Sequence, residues 1–170
     1  MLEDKKLRIA VDSMGGDYAP GEIVRGAVLA AQNNNTEIAL VGPRDTLEGE
    51  MAKCNFADNL PIHIVEANEV IKEDELPALA VRRRPNCSVA VAAKLVKSGE
   101  VDAMVSAGST GATVVSAVQL IGMVEGMERP TIGGSLGKFA PNTIVLDFGA
   151  NVDCKPYQFL SFAIAGSIWA

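Results

Sequence analysis

Apolar runs the length of a β-strand alternate with segments of helical period along this 170-residue chain, and that alternation limits its fold more than any other feature. Residues 7–11 (LRIAV), 36–41 (TEIALV), 61–65 (PIHIV) and 103–105 (AMV) read as strands. Between them the spacing predicts a helix from near Pro20, with Ile23, Val24, Ala27, Val28 and Ala31 on one face, and a short helix over residues 45–53. A polar connection at residues 72–75 leads to a helix over 88–98, with Ser88 as its N-cap and Gly99 as its stop. Ser109 caps the helix after the fourth strand. Residues 132–136 and 143–146 read as two more strands, joined as a hairpin, and Pro156 opens the last helix. Strands alternating with helices predict a single α/β domain, with a mostly parallel sheet covered on both faces.

Charge and composition then exclude several functions. The chain is 48% hydrophobic and 21% charged, which suits a packed core and not a disordered segment. Its net charge of −6 repels a phosphate backbone, so nucleic acid is not an expected partner. Cys54, Cys87 and Cys154 are widely spaced beside a single histidine, His63, and assemble neither a disulfide framework nor a metal site. The N-terminus MLEDKKLRIAVD lacks a secretory pattern, which places the protein in the cytoplasm. Residues 103–124 are uncharged over a bilayer-spanning length, but their hydroxyls and glycines read better as strand, turn and buried helix. The final apolar stretch runs out at Ile168, Trp169 and Ala170 without a helix stop signal, as though the chain were cut there.

In a parallel α/β fold, ligands bind where strands end and turns lead into helices. After the first strand come Asp12, Ser13, Met14, Gly15, Gly16 and Asp17. The two glycines allow close backbone approach to a ligand, and the carboxylates would orient a donor or a cation; an ordinary Gly-Gly turn capped by Asp fits the same spacing. Ser106, Ala107, Gly108, Ser109, Thr110 and Gly111 follow the fourth strand, combining hydroxyls with a helix N-terminus that suits phosphate or simply caps itself. Ser106 is a poor nucleophile candidate, because His63 is placed mid-strand, and Cys154 reads as a packed thiol. The third polar cluster, residues 147–156 (DFGANVDCKP), joins a strand to a helix.

Whole strings in this sequence, in order, resemble a known family. Residues 6–22 (KLRIAVDSMGGDYAPGE) resemble the opening of the PlsX family of acyl-ACP:phosphate acyltransferases, which runs RIAVDAMGGDYAP. The resemblance continues through residues 81–84 (VRRR), 89–99 (VAVAAKLVKSG), 103–112 (AMVSAGSTGA) and 143–156 (TIVLDFGANVDCKP), and so spans the chain. Two places depart from it. Ser109 stands where the family reads Asn, in SAGNTGA, and residues 133–140 (GGSLGKFA) differ from the family's apolar strand and turn.

This resemblance implies a Rossmann-like three-layer α/β/α sandwich, of which 1–170 would be the truncated N-terminal portion, and a homodimer. It implies transfer of a fatty acyl group from acyl-carrier protein to inorganic phosphate, giving acyl-phosphate for phospholipid synthesis, without a cofactor. Phosphate is then the nucleophile, and a thiolate with a pKa near 8.5 leaves with little acid assistance. The protein must supply a phosphate cradle and oxyanion stabilisation. Gly15, Gly16, Ser106, Ser109, Thr110 and Gly111 are the expected phosphate and carbonyl positioners, with Asp12, Asn151, Asp153 and Lys155 as catalytic polar orienters. Carrier protein is acidic, so Arg82, Arg83 and Arg84, with Lys94 and Lys97, form the expected docking patch, although a charge run also suits a solvated turn. A missing second half would carry any membrane contact. Acyl-CoA as the donor and a non-catalytic fragment are the competing readings.

Overall fold

A computed structural model describes residues 6–33, 36–54, 59–71, 75–137, 139–140 and 142–170. The chain divides into two compact units, Met1–Ile121 and Gly122–Ala170.

The first unit is built on four parallel strands, β1 (Leu7–Asp12), β2 (Thr36–Gly42), β3 (Ile62–Glu66) and β4 (Ala103–Ser106), in the order β3-β2-β1-β4. Strand β2 explains why the sheet is covered twice. Its side chains alternate between faces, and Ile38, Ala39, Leu40 and Val41 are all buried. Ile38 and Leu40 pack with Val24, Ala27, Val28 and Ala31 of α1 (Gly21–Asn33) and with Leu47 of α2 (Arg44–Ala52). Ala39 and Val41 pack on the other side, with Ala10, Ala67, Val101 and Ala92 of α4 (Ser88–Ser98). Three layers follow, as the strand and helix pattern predicts. Alanines at 90, 92 and 93 of α4 are fully buried.

A smaller cluster joins α4 to α3 (Pro77–Arg83) and α5 (Thr110–Ser116) through Val81, Cys87, Val89, Ala90 and Ala112. Helix α3 was not expected from the sequence. Pro77 opens it at the first helical position, and Ala80 and Val81 are the side chains it buries. Lys72, Glu73 and Asp74 of the expected polar connection lie outside the described residues, as do Met1–Lys5 of the N-terminus. The cap of α4 is also displaced. Cys87 holds the N-cap position, and Ser88 is the buried first residue of the helix. A bridge between Glu69 and Cys87 accounts for this, because Ser88 N–H donates to the Glu69 carbonyl at 3.1 Å, leaving it no need of a side-chain cap. Gly99 closes α4 at φ 75°, a left-handed conformation that favours glycine. Helix α5 continues into a π-helical turn, Ala117–Ile121.

In the second unit β5 (Gly133–Ser135) and β6 (Ile144–Leu146) pair antiparallel, as expected of a hairpin though shorter than the apolar runs. Lys138 and Pro141 of the connecting turn are outside the described residues. Helix α6 (Pro156–Trp169) is apolar on all sides. It buries Phe162 and Gln158, while Phe159, Leu160, Ile164, Ile168 and Trp169 are exposed. Among the described residues no helix is long and apolar enough to cross a membrane.

Candidate functional site

Strands β1 and β4 are neighbours with Asp12 opposite Ser106, so the loops leaving their carboxyl ends meet. Asp12 is 3% exposed. Its Oδ2 accepts the Ser106 hydroxyl at 2.7 Å and its Oδ1 accepts Met14 N–H at 3.3 Å. Ser106 Oγ in turn accepts Gly108 N–H at 3.2 Å. A buried carboxylate is tolerated only when hydrogen-bonded, and these donors are what hold it.

Glycines let the two loops touch. A Cβ on Gly15 would lie 2.6 Å from Asp12 Oδ2 and 2.8 Å from Gly108 N, and one on Gly111 would lie 2.7 Å from Pro77 Cγ. Gly16 has φ 112°, where a side chain would be strained as well as crowded by the Ala107 carbonyl. Ser109 takes the expected cap of α5, its Oγ accepting Ala112 N–H at 3.4 Å, while helical geometry leaves Thr110 and Gly111 N–H without intrahelical acceptors. Asp12, Met14, Gly15, Ser88, Ser106, Gly108, Ser109, Ala112 and Thr113 line a cavity of about 20 Å³, room for a water molecule and too little for a phosphate.

The sequence-predicted residues thus fall into two groups. Asp12, Gly15, Gly16, Ser106, Ser109, Thr110 and Gly111 come together in the first unit. Asn151, Asp153 and Lys155 belong to the second, where Asp147, which opens the third polar cluster of the sequence without being assigned a site role there, is the organising residue. Asp147 accepts N–H groups from Ile132, Ala150 and Asn151 and the Asn151 side-chain amide. Burial opposes its ionisation, yet those four bonds prevail and hold its carboxyl below the ordinary value of 3.8. Asn151 Nδ2 also donates to the Pro130 carbonyl at 2.8 Å, so both amide hydrogens are used within the loop and Asn151 staples it. Asp153 and Lys155 are solvent-facing, and the Lys155 ammonium lies 5.9 Å from the Tyr157 ring centre. A carboxylate followed by glycine and Asn at a strand end was the available signal for Asp147.

The basic run is divided by the fold. Arg82 and Arg83 are exposed in the last turn of α3. Arg84 turns inward, donating to the Val70 carbonyl at 3.0 Å and pairing with Glu75 at 2.6 Å. Lys94 donates to the Pro85 carbonyl and Lys97 to the Ile121 carbonyl. His63 sits on β3 beside Glu37, and burial pushes the Cys87 thiol up, as expected of a packed, unreactive cysteine.

The family model described as fatty acid synthesis protein matches residues 7–170. The chain belongs to this family. That bears out the resemblance carried by the motif strings. Curated relatives include the phosphate acyltransferase of Pelotomaculum thermopropionicum, 49% identical over 164 residues that cover 96% of this chain and 47% of that protein. Those of Syntrophomonas wolfei and Desulforudis audaxviator are 45% and 46% identical, again over 96% of this chain and covering 52% and 48% of theirs. The chain spans about half the length of the curated relatives it matches.

Proposed function

We propose that this chain carries the phosphate-positioning part of an acyltransferase that moves a fatty acyl group from acyl-carrier protein to inorganic phosphate. The observation that carries the reading is the meeting of the β1 and β4 loops. Two glycine-lined turns touch there, and the first-turn N–H groups of α5, which have no intrahelical acceptors, follow directly on the loop tied to Asp12. The name phosphate acyltransferase, borne by relatives 45–49% identical, supports the same chemistry.

In this mechanism Thr110 and Gly111 N–H, the Ser109 hydroxyl and the Gly15–Gly16 backbone hold a phosphate dianion with one oxygen free. That oxygen attacks the thioester carbonyl carbon, and the resulting tetrahedral oxyanion is stabilised by the same class of donors. Collapse breaks the carbon–sulfur bond, releasing the carrier thiolate, which takes a proton from water and leaves acyl-phosphate. No nucleophilic side chain is needed, which agrees with a Ser106 hydroxyl committed to a carboxylate. Asp153 and Lys155 are solvent-facing polar groups of the second unit, and Asn151 acts there through loop geometry. Arg82 and Arg83 supply the cationic face for an acidic carrier. The working form is a cytoplasmic homodimer, with membrane contact assigned to the portion of the family fold beyond these residues.

The test is phosphate-dependent thiol release from palmitoyl-ACP by the purified chain, with palmitoyl-CoA and phosphate-free arms. Release that requires phosphate and prefers the carrier supports the proposal. Equal rates with palmitoyl-CoA would replace the donor. A folded but silent sample would favour the non-catalytic fragment, the reading that half-length coverage and the exposed apolar surface of α6 support.

A further inference from the structure

We propose that Asp12 and Ser106 are positioning residues acting in series on the Gly108 peptide, so that the Ser109, Thr110 and Gly111 donors are aimed before an anion arrives. This deepens the phosphate reading above and rests on it.

The direction of the chain of bonds is set by proton count. A hydroxyl has one hydrogen, and an ionised carboxylate accepts but cannot donate. Ser106 must therefore give its proton to Asp12 Oδ2, at 2.7 Å, and turn a lone pair toward Gly108 N–H, at 3.2 Å. Donor, relay and acceptor run from the peptide before α5 to the end of β1. Among the described residues no cation pairs with Asp12, so its buried charge depends on Ser106 and Met14 N–H.

Two further facts place Asp12 behind the binding surface. Gly15 covers it closely enough that a Cβ there would come within 2.6 Å of Oδ2. A carboxylate in contact with phosphate would also repel it. Its influence must pass through groups that can donate. The Gly108 peptide is the one it reaches through Ser106, and Gly108 precedes the cap of α5. Ser106 also sits opposite Asp12 in strand register, so the tie spans two strands and fixes both loops at once.

The experiment is two-dimensional amide NMR of the isotope-labelled chain, titrated with inorganic phosphate, in wild type, Asp12→Asn, Ser106→Ala, the double variant and Ser106→Thr. The Gly108 amide should shift in Ser106→Ala and move to the same place in the double variant. Phosphate affinity should fall about tenfold in Ser106→Ala, which removes the relay, and no further in the double variant; Asp12→Asn, whose amide oxygen still accepts the Ser106 hydroxyl, should lose less. Ser106→Thr, which keeps the hydroxyl, should restore wild-type affinity; a purely structural role would not follow the hydroxyl in this way.

Losses that multiply in the double variant, or a Gly108 amide indifferent to Ser106→Ala, would overturn the series arrangement. Failure of the phosphate reading looks different. Phosphate would then move no resonance in wild type, and the Gly108 shifts alone would decide whether Asp12 and Ser106 are coupled.

Discussion

Replacing Gly15 by alanine tests the contact on which the candidate site depends. Gly15 has no left-handed φ, so its backbone accepts alanine and the entire penalty comes from the added methyl group. That carbon would lie 2.8 Å from Gly108 N and 3.0 Å from Gly108 Cα, both backbone atoms, and 2.6 Å from Asp12 Oδ2. Ordinary contact begins near 3.4 Å, so the loops must part by about 0.6 Å or Asp12 must leave its hydrogen bonds. Overpacking of this kind costs about 1–3 kcal/mol, a fall of roughly 2–12 °C in Tm for a chain of this size. A displacement of several tenths of an ångström at a positioning site should also weaken phosphate-dependent turnover or phosphate binding by about ten- to a hundredfold. Gly26→Ala is the matched control. It lies in α1 with nothing within 4 Å of its Cβ position, and should gain about 0.5–1 kcal/mol from helix propensity. Thermal unfolding followed by circular dichroism and phosphate titration of both variants form the assay. A Gly15→Ala chain with wild-type Tm and wild-type phosphate response would show that the two loops do not meet as described.

Three other outcomes are expected. Leu47→Ala removes a fully buried side chain from the α1/β2/α2 cluster and should cost about 2–5 kcal/mol in urea denaturation with an unchanged slope. Asp147, with its folded value depressed, stabilises its loop above the ordinary carboxyl value, and that support disappears as pH falls through the folded value. Amide shifts of Ala150 and Asn151 should therefore titrate with a midpoint below 3.8, and Asp147→Asn should abolish the step; a midpoint at or above 3.8 would contradict the hydrogen bonding. Arg82→Glu with Arg83→Glu should weaken carrier-protein binding severalfold at unchanged Tm, whereas Arg84→Ala, which removes the hydrogen bonds to Glu75 and the Val70 carbonyl, should lower Tm; calorimetry against purified carrier separates the two.

Much of this molecule is legible before folding, because local patterns carry it. Period-2 and period-3.6 apolar spacing located four parallel strands and four of the helices around them, and the helix punctuation by Pro156, Ser109 and Gly99 stands where the residues indicate. The two strand-end loops and their glycines were also visible, since short-range turn chemistry requires those residue types. Helix α3 has no sequence signature because its seven residues are too few to display a period, and its stability comes from burying Ala80 and Val81. Ser88 lost its cap role to a long-range bridge from Glu69, which no local signal reports. Strand order was likewise undetermined until tertiary pairing placed β1 beside β4. That pairing alone brings residues 94 positions apart, Asp12 and Ser106, to 2.7 Å and turns an ordinary Asp and Ser into a coupled pair. The same folding separated Arg84 from Arg82 and Arg83, and consumed the Asn151 amide on Asp147 and Pro130. Sequence determines which residues can turn, cap and alternate, since those properties depend on near neighbours; which polar groups satisfy one another is decided by contacts between distant segments, and only the folded chain supplies them.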